Sequence, residues 1–186
     1  MTLTDHTATP PKDAGAVNSR RENAEHGFVA PPVLVKSLQQ VQVDLIELHL
    51  QGKQAHWNLV GPNFRDLHLQ LDEIVTDARE FSDTIAERLR ALHAIPDGRS
   101  DTVAATTTLP NYPHGEILTT ETVDLITARL EATARTIREV HDDVDDADPS
   151  SADLLHAILV RLEQLAWMVS AENRAPQPKK RAKSSH

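Results

Sequence analysis

From Phe64 to Leu92 the chain places an apolar residue at every third or fourth position: Phe64, Leu67, Leu71, Ile74, Ala78, Phe81, Ile85, Leu89 and Leu92. That spacing follows one face of an α-helix, because a strand would repeat every second residue. The segment predicts a helix from about Asn63 to Ile95, closed by Pro96-Asp97-Gly98. Such a helix has one apolar stripe and must bury it against partners, so the fold has to be built around it.

Three further stretches supply those partners. Leu34, Leu38, Val41, Leu45, Leu48 and Ala55 mark a first helix from about Val33 to Leu59, which the Gly61-Pro62 break turns back onto the second. Val123, Ile126, Leu130, Ala134, Ile137 and Val140 mark a third, from about Glu121 to Asp145. Pro149-Ser150-Ser151 opens a fourth, with Leu154 or Leu155, Ile158, Leu162, Leu165 and Val169 on its stripe, ending near Asn173. Residues 99–118 are Thr-rich, contain Pro110 and Pro113, and have room for one short helix. A short link after the first helix and a long one after the second describe an all-α four-helix bundle with the ferritin-like crossover.

Three regions follow. Residues 1–32 are rich in Thr, Ala, Pro and Asn without apolar period and read as a flexible N-terminal arm; 33–173 form the bundle; 174–186 form a basic C-terminal tail. The chain has no cysteine, which excludes disulfides and thiolate metal sites. No uninterrupted apolar run reaches the ~18 residues of a spanning helix, and no secretory signal is evident. The expectation is a cytoplasmic protein with no membrane partner. Net charge is −9, although the tail holds Arg174, Lys179, Lys180, Arg181 and Lys183 and no acid. The body is therefore more acidic than the whole, and its field repels nucleic acid.

Beside the core stripe of the second helix runs a polar one: His68, Asp72, Asp83 and Glu87. The separations are four, eleven and four residues, and eleven residues make close to three whole turns, so all four share a side. The two pairs lie roughly 16 Å apart along the axis, too far for one ion with bonds of about 2 Å. Two copies laid antiparallel about a two-fold axis would bring His68 and Asp72 of one chain opposite Asp83 and Glu87 of the other, making two equal sites. His56, at the end of the first helix, is carried toward His68 by the Gly61-Pro62 turn. Two imidazoles and three carboxylates suit iron(II) or manganese, and zinc also fits. No Glu has a His three residues later, which disfavours the Glu-x-x-His site of ordinary di-iron bundles. The alternative is a solvated stripe whose acids pair with Arg65, Arg79 or Arg90.

Lys53-Gln54-Ala55-His56-Trp57-Asn58, Gly61-Pro62-Asn63-Phe64, Leu67-His68, Asp72-Glu73 and Asp83-Thr84-Ile85-Ala86-Glu87-Arg88 resemble the Dps mini-ferritins, continuously from about Leu45 to Pro96 and weakly around Leu162-Glu163 and Trp167-Met168. The resemblance implies a hollow homododecamer that oxidises iron(II) at intersubunit sites, preferably with hydrogen peroxide, and stores the ferric product. It places the family's ligands on His56, His68, Asp72, Asp83 and Glu87. It gives Trp57 a role as sink for stray oxidising equivalents, against plain interface packing. One departure is His93, where many relatives carry glycine; it lies at a helix end away from the ligands and is given no role.

The acidic run after the third helix, with Asp145, Asp146, Asp148 and Asp153, has two readings: a solvated loop near a helix N-terminus, or, through the resemblance, a three-fold pore drawing iron(II) inward. His49, His141 and His156 read as helix-surface or interface histidines, and Trp167 as core or interface. The basic tail, kept extended by Pro176 and Pro178, suits phosphate contact without base reading, and many tails on one shell would act together. Such binding would make the protein nucleoid-associated. Three functions remain open: a peroxide-consuming ferroxidase and iron store, a DNA-compacting shell with little or no oxidase activity, and a zinc-binding oligomer without redox chemistry.

Overall fold

The computed structural model describes residues 28–176. The arm expected at 1–32 falls almost wholly outside them, as do Lys179, Lys180, Arg181 and Lys183 of the tail. Four long helices form the bundle: α1 (Pro32–Asn58), α2 (Phe64–Ala91), α4 (Thr119–Ala147) and α5 (Pro149–Ser170), with a short α3 (Ser100–Thr106) in the crossover and a 3₁₀ turn (Ala171–Asn173) after α5. The principal contacts are α1 on α2, α4 on α5 and α1 on α4. Two short strands, β1 (Leu59–Val60) and β2 (Ile117–Leu118), pair in parallel with Leu59 opposite Ile117. That pairing brings the start of α4 to the end of α1, so the connection between α2 and α4 runs the length of the bundle, as a ferritin-like crossover must.

The apolar stripes meet in one core. Leu34, Leu38, Leu45, Leu48, Leu71, Ile74, Ile85, Leu89, Ile126, Leu130, Ile137, Leu155, Leu165 and Val169 are all 0% exposed. Phe64 departs from the expected stripe. It is 45% exposed, and its ring stacks on His68 with centroids 5.1 Å apart. Trp167 is not in the core either, at 61% exposed on the outer face of α5.

Helix limits follow from local chemistry. Pro32 and Pro149 open α1 and α5 at first-turn positions, where the missing N–H costs nothing. Gly61 has φ +120°, and a Cβ there would come within 3.2 Å of Thr119 Oγ1, so the tight turn between α1 and α2 requires glycine. The second helix stops at Ala91 rather than near Ile95 because His93 adopts the left-handed conformation, φ 62°. The Ala94 N–H then bonds to Leu89 O at 2.9 Å and the His93 N–H to Arg90 O at 3.1 Å, a Schellman closure. This is the backbone reason that a glycine suits the position.

The crossover is tied down along its path. Gln39 exchanges two 2.9 Å hydrogen bonds with the backbone of Asp97. Asp44, 0% exposed on α1, accepts from Thr107 Oγ1 (3.0 Å), Thr108 N (2.8 Å), Thr108 Oγ1 (2.7 Å) and Thr136 Oγ1 (2.8 Å). Buried Arg129 donates to Gln51 Oε1 at 2.7 Å and to Asn111 O at 2.8 Å.

Residues 149–171 reach a mean hydropathy of 1.3 and are, by length and composition, apolar enough to span a bilayer, although no uninterrupted apolar run is that long. Their stripe faces the bundle core, and Arg161 pairs with Glu73 and Asp77 of α2, each at 2.6 Å.

Candidate metal centre

The turn between α1 and α2 brings the last turn of one helix against the first turn of the next. His56 is buried on α1 and His68 half-buried on α2, and their rings stack with centroids 3.6 Å apart and planes inclined by 23°. Nδ1 of His56 donates to the backbone carbonyl of His68 at 3.0 Å, and Nδ1 of His68 donates to the carbonyl of His56 at 3.0 Å. A carbonyl can only accept, so each Nδ1 carries a proton, and Nε2 is the nitrogen through which each ring could bind a ligand. Asp72, one turn beyond His68, completes the group: one potential ligand atom from each of His56, His68 and Asp72 lies within 4.8 Å of the others. Two imidazoles and a carboxylate on one side of a helical elbow could supply part of a coordination sphere for a first-row divalent ion.

Lys53 is the residue that the sequence did not single out. Its Nζ lies 2.5 Å from Asp72 Oδ1, and His56 Nδ1 is 3.3 Å from the same oxygen. The Lys53 hydrogen bond holds the Asp72 carboxyl below its ordinary range; partial burial opposes this, and the neighbouring histidines reinforce it. Asp72 therefore pairs with Lys53 rather than with Arg65, Arg79 or Arg90. The available signal was that Lys53 and His56 are three residues apart on one helix face.

Asp83 and Glu87 are exposed on α2 and are not brought to His68 within one chain. The eleven residues from Asp72 to Asp83 correspond to roughly 16 Å of helix. Asp83 lines a surface groove with His49, Arg79, Glu80 and Gln42. Burial, with the charges of Arg79 and Lys53, keeps His49 below the usual histidine pKa. Trp57 is 68% exposed beside the histidine pair. Asp145, Asp146 and Asp153 are exposed, whereas Asp148 turns inward to Arg88 Nη2 at 2.6 Å and Ser151 Oγ at 2.5 Å. Arg174 is exposed just beyond the 3₁₀ turn.

A family model described as a ferritin-like domain matches residues 35–174. The chain is 35% identical over 159 residues to the fine tangled pili major subunit of Haemophilus ducreyi, covering 83% of this chain and 84% of that protein. It is 35% identical over 143 residues to the DNA protection during starvation protein of Agrobacterium fabrum, covering 76% of this chain and 88% of that one. The Dps of Microbacterium arborescens, solved in a high iron form, superposes with a TM-score of 0.73 at 29% identity, over 79% of this chain and 99% of that one. Family model, sequence relative and solved structure agree, and the chain belongs to the Dps family of ferritin-like proteins.

Proposed function

We propose that this protein is an iron-storage and detoxification protein that oxidises iron(II) with hydrogen peroxide at sites shared between two copies of the chain. The observation that carries this reading is the pair of reciprocal imidazole–carbonyl hydrogen bonds, which engages both Nδ1 atoms and leaves both Nε2 atoms for a ligand, in a group where His56, His68 and Asp72 each bring a potential ligand atom within 4.8 Å of the others. His56, His68 and Asp72 supply one half of each site, and Asp83 and Glu87 of an antiparallel partner supply the other. Iron is substrate here, and its oxidised form is the stored cargo. Two ferrous ions each give one electron to one peroxide; its O–O bond breaks, it takes up two protons, and it leaves as two waters. Paired oxidation consumes peroxide without a one-electron step that would release hydroxyl radical. Exposed Trp57 stands next to the ligands and is placed to absorb a stray oxidising equivalent. Twelve copies in a closed shell would provide the storage cavity.

The Agrobacterium relative is described as protecting DNA during starvation. Removing iron(II) and peroxide together would do so here without contact. Direct contact is a separate part of the proposal and rests on the five bases of the tail, Arg174, Lys179, Lys180, Arg181 and Lys183. A chain ending at Asn173 should lose DNA retardation; equal retardation by both forms rules out the tail.

The oxidase reading is tested by anaerobic iron(II) titration followed by peroxide. Wild type should give a fast, stoichiometric rise in ferric absorbance that His68→Ala with Asp72→Ala abolishes. An absent burst with intact DNA compaction would favour the purely architectural alternative.

A further inference from the structure

We infer that His141 and His156 form a second divalent-metal site, at the opposite end of the bundle from the histidine elbow and selective for imidazole-seeking ions of the copper(II) and zinc(II) class. His141 lies near the end of α4 and His156 on the second turn of α5. Along α4, His141 is about 33 Å from Thr119, which touches the Gly61 turn beside the first site.

Their Nε2 atoms approach to 2.7 Å, with ring centroids 4.6 Å apart and planes inclined by 32°. Behind each ring stands a carboxylate on the other nitrogen. His141 Nδ1 is 3.1 Å from Asp142 Oδ1, and His156 Nδ1 is 3.9 Å from Asp153 Oδ1. The Asp142 carboxylate draws the His141 ring proton to Nδ1, the arrangement that second-sphere acids impose on metal-ligating histidines, while Asp153 stands beyond hydrogen-bond distance of His156. In the metal-free protein the two Nε2 atoms share one proton in an N–H···N hydrogen bond, and a metal ion binding both nitrogens would take that proton's place.

A metal ion fits with little movement. Cis ligands with bonds of about 2.0–2.1 Å stand roughly 2.9–3.4 Å apart, so the rings need to part by only a few tenths of an ångström. The His156 side chain is 55% exposed and that of His141 24%, leaving water access to the remaining coordination positions. Ligand chemistry sets the selectivity. A pair of imidazoles with few oxygens ranks copper(II) above zinc(II) and both above iron(II), whereas the elbow adds the carboxylates of Asp72 and the partner. This site is independent of the iron reading.

Copper(II) titration of the full-length, iron-free protein, followed by electron paramagnetic resonance, tests the assignment. Wild type should bind one copper(II) per chain more than either His141→Ala or His156→Ala, with nitrogen hyperfine structure that both variants lose. His49→Ala should behave as wild type. Ferrous oxidation should be unchanged in His156→Ala. Equal copper stoichiometry in wild type and both variants overturns the site and leaves a proton-sharing pair. Crystals of the wild type soaked in zinc provide a second measurement that needs no variant. An anomalous peak between the two Nε2 atoms is expected, and its absence at full elbow occupancy refutes the proposal.

Discussion

Lys53→Met should tighten divalent-metal binding at the elbow. The Lys53 ammonium lies 2.5 Å from Asp72 Oδ1, the oxygen nearest the histidines. An ion bound to that oxygen at about 2 Å would sit roughly 4 Å from the ammonium. At that separation a +2 and a +1 charge repel by about 2 kcal/mol at the dielectric of water. The two side chains are 31% and 46% exposed in the isolated chain, so the water value is the smallest the unscreened repulsion takes, and a partner covering the site would enlarge it. Salt lowers it to about 1 kcal/mol, roughly a five-fold change in affinity. Lys53→Arg keeps the charge and should bind as wild type does. Cobalt(II), followed by its visible absorbance, reports affinity without oxidation. The substitution also returns Asp72 toward an ordinary carboxyl pKa, because the Lys53 hydrogen bond is the main cause of its depression. Loss of metal on acidification should therefore include an Asp72 protonation at higher pH than in wild type. Equal or weaker cobalt binding by Lys53→Met would refute the reasoning and show that the ion does not use this oxygen.

Two further outcomes concern stability. Asp44→Ala removes the acceptor for four hydrogen bonds from Thr107, Thr108 and Thr136 and should cost about 4 kcal/mol. Calorimetry should show a drop of about 10 °C in thermal midpoint, with Asp44→Asn intermediate; a change under about 1 kcal/mol contradicts the pinning role. Asp148→Asn tests a pH dependence: burial raises the Asp148 carboxyl, but hydrogen bonds from Ser151 and Arg88 outweigh it and leave the pKa depressed. A depressed folded pKa adds stability above the unfolded value of about 3.9. That stability disappears as pH falls through the lower folded value. Denaturant midpoints of wild type and Asp148→Asn should thus differ at neutral pH and converge in acid; a constant gap would exclude the mechanism.

The bundle was legible because its stripes are regular: every aliphatic residue read onto the first helix stripe, from Leu34 to Leu48, is fully buried. The His56–His68–Asp72 grouping was legible for a similar reason, since a tight turn between two helices fixes which ends meet. Residues whose role depends on the rotation of one helix against another were not. Lys53 reaches Asp72 across the α1–α2 interface, and the spacing on either helix alone does not show that distance. Phe64 fits the period yet is exposed, because a stripe has no mark for where its partners stop. His93 hid the end of α2, since a left-handed residue other than glycine carries no compositional sign. The Thr108–Asp44 and Arg129–Gln51 bonds join residues 64 and 78 positions apart and have no periodicity at all.

The paired imidazoles act as a latch as well as a donor set. Each ring is bolted to the other helix's main chain, so α1 and α2 cannot hinge apart at the turn without releasing both rings at once. The choice of coordinating nitrogen is settled before any ion arrives, and little rearrangement remains for capture. Loosening the elbow and losing an ion bound there would then be a single event, and a metal-bound protein would resist opening at this corner more than a metal-free one.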